Sequence, residues 1–455
     1  MFQTGDTIVA VATPPGRGSI GVVRLSGPAA RAIGEALVGQ PLAARYATFG
    51  RLDGELLEAV HDHVIATWFA APHSYTGEDV VEISTHGNPL ILDLVVADAI
   101  RGGARHAMPG EFTFRAYLHG KIDLVQAEAV ADLVEAMTPA QARAACDQLD
   151  GTLSDAIREI EASLFSVVAK LEASLDFPDE GFHFIEPGAV GQAMGEVAGR
   201  VEGLLTRAEA GRVLREGLRV VITGRPNVGK SSLFNALVGT DRAIVTAVPG
   251  TTRDVVSAPF SVGGAPCEAV DTAGLRDAGD EVEREGIART RRARASADVT
   301  LAVFDGSVAL TGDDLRVLAE PARGSTVVVV NKADLGVRDD VVRCVATLGG
   351  AAGVVVVSAA TGEGLERLRE VVAGSLGLPG GDGESPRVTN RRHAAMLGEV
   401  AASLRAACEA ATRGATEEFL LSDLHRALEA LQSVTGRRVA DAVLDEIFTR
   451  FCVGK

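Results

Sequence analysis

The chain has 455 residues, 47% hydrophobic, 23% charged and only 4% aromatic, with a formal net charge of −17. That length suggests about two to four domains with sizeable cores, and the acidic balance excludes a general nucleic-acid coat, which must be basic to neutralise phosphate. Any RNA contact is therefore local or shared with a partner, and no DNA partner is expected.

The N-terminus, MFQTGDTIVAVATPPGRG, has no basic segment followed by a long apolar run, so no secretory signal is expected. No stretch reaches the ~18 uninterrupted apolar residues of a membrane helix. Residues 1–119 read as α+β. DTIVAVAT alternates like a strand, PPGRG turns, IGVVRLSG is a second strand and PAARAIGEAL is helical. The scheme recurs: HVIATWF is a strand, HSYTGED a turn, VVEISTHG a strand and PLILDLVVADAI a helix. This is a weak internal duplication, visible in pattern more than identity. His61 and His63 lie two apart, as if sharing a strand face. Two ligands do not make a metal site, and structural or solvated histidines are the plainer reading.

From residue 120 to 216 helical periodicity takes over. LVQAEAVADLVEAM and LSDAIREIEASLFSVVAKLEASL carry apolar residues at helical spacing. DFPDEGFHFIEP interrupts them, and one further helix is expected from about Ala189 to Arg215. Residues 217–379 alternate strand and helix: LRVVIT, VTLAVFD, TVVVVN and GVVVVS are the short apolar runs of a buried parallel sheet. GLPGGDGESP is a linker by composition. Residues 380–455 lack proline after Pro386 and are again helical by period. The economical organisation is one helical domain, 120–216 and 380–455, with the α/β domain 217–379 inserted into it. Two separate helical modules are the other arrangement. The cysteines (146, 267, 344, 408 and 452) form no CxxC pair, which argues against a zinc ribbon or disulfides and fits a reducing cytosol.

The inserted segment carries the chemistry. GRPNVGKSS, 224–232, matches G-x-x-x-x-G-K-[ST] between a predicted strand and a predicted helix, SSLFNALVG. Such a loop lets backbone N–H groups of Asn227, Val228, Gly229, Lys230, Ser231 and Ser232 approach phosphate oxygens at a positive helix end. Lys230 reaches the β and γ phosphates, and the Ser231 hydroxyl ligates Mg²⁺. GTTRD (250–254), DTAG (271–274) and NKAD (331–334) follow in order. Thr252 is placed to bind Mg²⁺ and sense the γ-phosphate. Asp271 ends a strand, where a carboxylate can hold the metal through water, and Thr272, Ala273 and Gly274 continue that loop. Asn331, Lys332, Ala333 and Asp334 end another strand at the carboxyl edge where α/β ligands sit. Asp334 can accept two hydrogen bonds from guanine, and adenine offers no such pair. Ser358, Ala359 and Ala360 are the expected backbone contact to the base. In many small GTPases a glutamine follows DTAG; here it is Leu275, which cannot orient water. The basic run RTRRAR, 289–294, reads as a solvated face of an exposed helix.

Order, spacing and GTTRD resemble a translation-factor-class, Era-like GTPase. The whole chain resembles the MnmE (TrmE) family of tRNA-modification GTPases: TPPGRG and TGEDVVEI at the front, LREG before the GTPase segment, and Phe-Cys-Val-Gly-Lys at the end. The resemblance implies a fold of three parts, with an N-terminal folate-binding-like α+β domain, a helical domain and an inserted Ras-like P-loop domain.

It also implies ligands. A potassium ion does much of the missing glutamine's work, held by Asn227, Thr246, Val248 and Thr251 in loops that also carry Ala247, Pro249 and Gly250 around the nucleotide. Asn227 read alone is equally a turn residue with a suitable backbone preference. The catalytic carboxylate maps onto Glu283; without the family pattern it is one of four acids near a helix start, where acids are favoured anyway. A tetrahydrofolate, in the 5-formyl or 5,10-methylene form, maps onto Arg24, Glu82, Lys121 and Lys455; Arg24 or Lys121 alone reads as surface charge. Cys452 becomes a functional thiol near that pocket, where it otherwise reads as a small buried apolar residue. The expected activity is GTP hydrolysis in C5 modification of tRNA wobble uridine (U34), of the carboxymethylaminomethyl or aminomethyl type. The expected setting is a cytoplasmic homodimer acting on tRNA with an FAD-containing protein of the MnmG (GidA) family. A regulatory or ribosome-assembly GTPase without modifying activity is the other function class that the nucleotide motifs allow.

Overall fold

The computed structural model describes residues 4–57, 61–176, 187–240, 257–271, 294–319, 324–347, 351–377 and 386–455. The chain divides into two units: Met1–Ala131 with Gln432–Lys455, and Asp132–Leu431.

The first unit is built on a six-stranded sheet. Its strands are β1 (Ile8–Val11), β2 (Gly21–Ser26), β3 (Thr48–Arg51), β4 (His63–Phe69), β5 (Val80–Thr85) and β6 (Arg105–His106), in the order β3-β4-β5-β2-β1-β6. All pairs are antiparallel except β1 with β6. The duplication seen in the sequence is physical. Each repeat contributes two strands and a helix, Ala30–Val38 or Pro89–Arg101, and the repeats meet where β2 pairs with β5. At that seam Arg24 lies directly opposite Glu82, the equivalent positions of GVVRLS and DVVEIS. Val23, Leu25, Ile33, Leu37, Val81, Ile83 and Val95 form one buried core. Asn88 accepts from the Leu90 amide and Pro89 starts the second helix, a standard N-terminal arrangement.

Unforeseen in the sequence were β3, β6 and the helix Glu111–Leu118. That helix carries Arg115, whose side chain is only 1% exposed. Its guanidinium meets Asp6 at 2.6 Å, Glu78 at 3.1 Å and Glu111 at 3.1 Å. Arg105 adds contacts to Asp6 at 2.8 Å and Glu111 at 2.6 Å. Burial of these charges is tolerable because each faces an opposite charge with hydrogen bonds. The C-terminal stretch closes this unit. Phe448 packs edge-on against Phe114, 5.2 Å between centroids, and against Phe451 at 5.5 Å.

His61 does not share a strand face with His63. It precedes β4 with φ of 47°, while His63 opens the strand and stacks on Phe49 at 5.5 Å. A cross-strand aromatic contact accounts for His63. Among the described residues, no group of three or more His, Cys, Asp or Glu is arranged to hold a metal.

The second unit contains a set of helices and the α/β sheet. Pro139–Leu149 begins with a capping box in which Thr138 and Gln141 bond reciprocally, a helix start the sequence reading missed. Thr152–Asp176 follows. The single helix expected near 189–215 is two, Pro187–Leu205 and Ala208–Glu216. At the break the Thr206 hydroxyl donates back to the Glu202 carbonyl, a local bond that competes with helix continuation. Helix Pro187–Leu205 packs along Arg391–Thr412, so chain from both sides of the α/β segment shares one helical layer. A Cβ on Gly211 would lie 2.2 Å from the Val388 carbonyl; glycine there lets the returning chain lie against helix Ala208–Glu216. Of the remaining tail helices, Glu417–Thr435 lies in this unit up to Leu431, and Asp441–Phe448 belongs to the first unit.

The α/β sheet has strands β7 (Leu218–Thr223), β8 (Ser257–Val262), β9 (Ala265–Asp271), β10 (Val299–Asp305), β11 (Ser325–Asn331) and β12 (Ala351–Val356), in the order β12-β11-β10-β7-β9-β8. Only β8 runs antiparallel. Val220, Ile222, Leu301, Val303, Val327 and Val329 fill its core, which explains why these strands read as continuous apolar runs. The carboxyl ends of β7, β10 and β11 deliver loops 224–230, 305–307 and 331–335 to one edge. Of RTRRAR, only Arg294 lies among the described residues. It is 2% exposed, and its Nη1 donates to the Val317 carbonyl at 2.9 Å. A backbone acceptor inside the fold holds it, contrary to the solvated face expected for that run. Among the described residues no helix is long and apolar enough to cross a membrane.

Candidate nucleotide-binding site

The loop after β7 depends on backbone that only a few residues adopt. Gly224 has φ of 152°, and a Cβ there would lie 2.4 Å from the Val303 carbonyl. Asn227 is left-handed at φ 65°, a region where asparagine is among the tolerated side chains. Its backbone thus accounts for the asparagine without an ion. Gly229 has φ of 92°, and its Cβ would meet Asn331 Nδ2 at 2.3 Å. Helix Lys230–Thr240 starts immediately afterwards, so its free amides and partial positive charge face the loop. Lys230 is buried and its ammonium turns back over the loop to the Arg225 carbonyl, 2.8 Å away. Ser231 and Ser232 are exposed in the first helical turn. A phosphate fits this cradle: glycine backbone, helix amides and a lysine folded over the same loop.

The NKAD turn locks onto that loop. Asn331 is 2% exposed; its Nδ2 donates to the Val228 carbonyl at 2.9 Å, and its Oδ1 accepts from the Ala359 amide at 3.0 Å. One side chain therefore ties three motif segments together. Lys332 is left-handed at φ 68°, and its ammonium meets Asp305 Oδ2 at 2.7 Å. The Ala333 amide donates to the Val357 carbonyl at 3.1 Å. Asp334 is exposed, with Oδ1 accepting from Ser358 Oγ at 2.6 Å. Ser358 is fully buried, whereas Ala360 is exposed. Asp271 is the last residue of β9, paired with Ile222 of β7. Thr246, Ala247, Val248, Pro249, Gly250, Thr251, Thr252, Thr272, Ala273, Gly274, Leu275 and Glu283 lie outside the described residues.

A second charged site lies in the first unit. Arg24 bonds Glu82 through Nε at 2.8 Å and Nη2 at 2.7 Å. Its Nη1 donates to the Gly454 carbonyl at 3.3 Å. The guanidinium also lies 5.7 Å from the ring centroids of both Tyr75 and Phe112. Gly454 has φ of 95°, and a Cβ there would lie 2.3 Å from the Val11 carbonyl, so glycine allows the tail to lie against β1. Lys455 is half-buried; burial, then the Arg24 guanidinium, holds its ammonium below the ordinary lysine range. Cys452 is exposed and free, not a packed apolar residue.

Lys121 is placed differently. Its ammonium donates to the Pro72 carbonyl at 3.0 Å, on the loop that carries Tyr75, and no contact joins it to Arg24 or Glu82 among the described residues. Arg24 thus meets Glu82 and the Gly454 carbonyl directly, and its charge acts on the Lys455 ammonium. Tyr75 and Phe112 were missed, and the only available signal was the proximity of Tyr75 to TGED. The paired ions, two aromatic rings and a half-buried ammonium suit a flat heteroaromatic group bearing an acid.

Comparisons place these features in a family. A family model described as the MnmE helical domain matches residues 124–452, and one described as the GTP-binding protein TrmE N-terminus matches residues 7–121. Proteins named tRNA modification GTPase MnmE match over nearly the full length. That of Koribacter versatilis (strain Ellin345) is 45% identical, covering 99% of each chain. That of Heliobacterium modesticaldum is 43% identical over 100% of both, and that of Sodalis glossinidius is 43% identical over 100% of both. With the helical match alone spanning more than half of the residues, the chain belongs to the MnmE (TrmE) family.

Proposed function

We propose that the protein is a GTP hydrolase that acts in the modification of tRNA. The observation that carries the nucleotide half is Asn331, which joins the phosphate loop, the NKAD turn and the Ser358–Ala360 segment in one hydrogen-bonded unit. Asp334 reads the guanine edge, with Ser358 orienting its carboxylate. Lys230 leaves the Arg225 carbonyl for the β and γ phosphate oxygens. When bound, Mg²⁺ at Ser231 and Thr252 and K⁺ at Asn227, Thr246, Val248 and Thr251 supply positive charge where negative charge develops on the phosphates. Glu283 orients the attacking water in place of the absent glutamine.

The finer reading follows the family resemblance. The substrate is U34 of tRNA, modified at C5 with an FAD-containing MnmG-like partner. Arg24, Glu82, Lys121 and Lys455 hold a tetrahydrofolate that donates the one-carbon unit, and Cys452 serves that chemistry. The protein works as a homodimer in the cytoplasm; exposed Tyr46, Phe49 and Ile65 on and beside β3 and β4 give the N-terminal unit an apolar face for that contact. The domains are those of the sequence reading, 1–119, 120–216 with 380–455, and 217–379.

The experiment pairs GTP turnover in K⁺ and in Na⁺ at equal ionic strength with nucleoside analysis of bulk tRNA from a deletion strain. Turnover faster in K⁺ and loss of the C5-modified uridine are expected. Normal uridine modification in the deletion strain would overturn the tRNA reading, and equal rates in the two salts would overturn the potassium site.

A further inference from the structure

Three polar side chains of the NKAD turn each have a holder from another element. Asn331 is held by Val228 and Ala359, and Asp334 by Ser358. Lys332 is held by Asp305, the last residue of β10, which belongs to none of the four nucleotide motifs. The register of the parallel pair β10–β11 sets Asp305 beside Asn331, so the carboxylate rises next to the turn it serves. Asp305 is itself fixed: its Oδ1 accepts from the Ser307 amide at 3.0 Å and the Ser307 hydroxyl at 2.6 Å, leaving Oδ2 for the lysine.

The backbone around the pair is stitched as well. The Gly306 amide donates to the Asn331 carbonyl at 2.8 Å, and the Arg338 amide donates to the Gly306 carbonyl at 3.0 Å. Backbone hydrogen bonds thus join loop 305–307 to the turn. Lys332 pays for its place with a left-handed backbone at φ 68°, a conformation that a side chain with a Cβ adopts only when its surroundings hold it there. Both ends of the ion pair are shielded, with the lysine 29% and the aspartate 10% exposed, so solvent screening is weaker than for a surface pair.

We propose that Asp305, braced by Ser307, is a positioning residue of the guanine site that acts through Lys332. This rests on the reading of the site as a GTP site. The pairing does two things. It pins the lysine stem beside the turn, where the base must lie if Asp334 reads its edge. It also keeps the ammonium from Asp334, two residues on, which would otherwise compete with guanine for the same carboxylate. Burial alone would raise the Asp305 carboxyl, but the Lys332 ammonium and the two Ser307 donors outweigh it and hold it below its ordinary range. The Asp305 carboxylate is therefore ionised throughout the neutral range.

The test is a double-mutant cycle on the full chain, reading the Kd of GDP and GTP by titration. Asp305→Asn and Lys332→Met are each expected to raise Kd about tenfold, the loss of one shielded charge-assisted contact. The double variant should also lose about tenfold, because two residues acting as one unit do not add. A purely structural Asp305 would give an additive loss of about a hundredfold. Ser307→Ala leaves both charges in place, so it serves if Asp305→Asn does not fold. It should weaken binding in the parent chain and have no effect in the Lys332→Met background. Parent-like affinity in Asp305→Asn, or additive losses in either cycle, overturns the proposal. Failure of the unmodified chain to bind GDP or GTP overturns the GTP reading itself, which distinguishes the two.

Discussion

Substituting Gly229 by alanine tests the phosphate loop where its geometry is tightest. The residue has φ of 92°, and its new Cβ would lie 2.3 Å from Asn331 Nδ2. Two costs follow. The left-handed backbone costs an L-residue about 1–2 kcal/mol. Relieving the overlap moves the Asn331 amide off the Val228 carbonyl, now 2.9 Å away, and loses about 1 kcal/mol for a typical hydrogen bond. The sum is about 2–3 kcal/mol, or about 30- to 150-fold in an equilibrium constant. If the loop keeps its shape, the loss falls on stability; if the loop yields, it falls on nucleotide affinity. Calorimetric melting of the full chain and titration with GDP cover both routes. Gly229→Ala should lower the melting temperature of the transition that GDP protects, raise the GDP Kd, or divide the loss between them. A Gly229→Ala protein with parent-like melting and parent-like GDP affinity would refute the claim that Asn331 and the loop are in mutual contact.

Three other outcomes are expected. Asp334→Asn should weaken GTP and gain xanthosine triphosphate, because the changed edge then matches the other base; titration with both nucleotides decides it, and unchanged GTP affinity would remove Asp334 from the guanine site. Thiol labelling of the folded chain should reach Cys452 and Cys146, both exposed, and spare Cys267, which is buried with its thiol pushed up to about 12; mass mapping of the adducts checks this, since only a thiolate reacts appreciably. The buried ion cluster should give an acid limb. A hydrogen bond from Arg105, followed by one from Arg115, holds the Asp6 carboxyl below its ordinary range against the opposing effect of burial. The folded pKa is lower than the unfolded value of about 3.9, so this stabilisation is complete above about pH 5 and is lost as pH falls through the depressed value. Asp6→Asn should therefore lower the melting temperature at pH 7 and narrow the gap from the parent chain below about pH 4. A gap that is constant with pH would refute it.

The α/β half was legible because its signals are local. LRVVIT and VTLAVFD are buried on both faces, so apolar runs mark β7 and β10 to the residue. GRPNVGKSS announces its turn through glycines whose backbone no other residue adopts easily. The duplication in the first unit was legible for the same reason, as alternation that repeats. The short edge strand β3, TFGR, carries a glycine and a half-exposed pattern, so it gives no period to read. The two-residue strand β6 is too short to give one.

What the tertiary structure decided lies in contacts between distant segments. Arg24 and Glu82 are 58 residues apart and meet because two repeats pair edge to edge. The terminal Gly454 returns to β1 through a close approach that no local pattern encodes. Tyr75, from the turn before β5, and Phe112, from helix Glu111–Leu118, join the same charge. Asp305 looks like the ordinary end of a strand until β10 lies beside β11 and brings it to Lys332. Periodicity and turn chemistry describe a residue's neighbours along the chain. Partners of an ion pair or a ring are chosen by which strands share an edge, and that is set by the packing of whole elements against a common core.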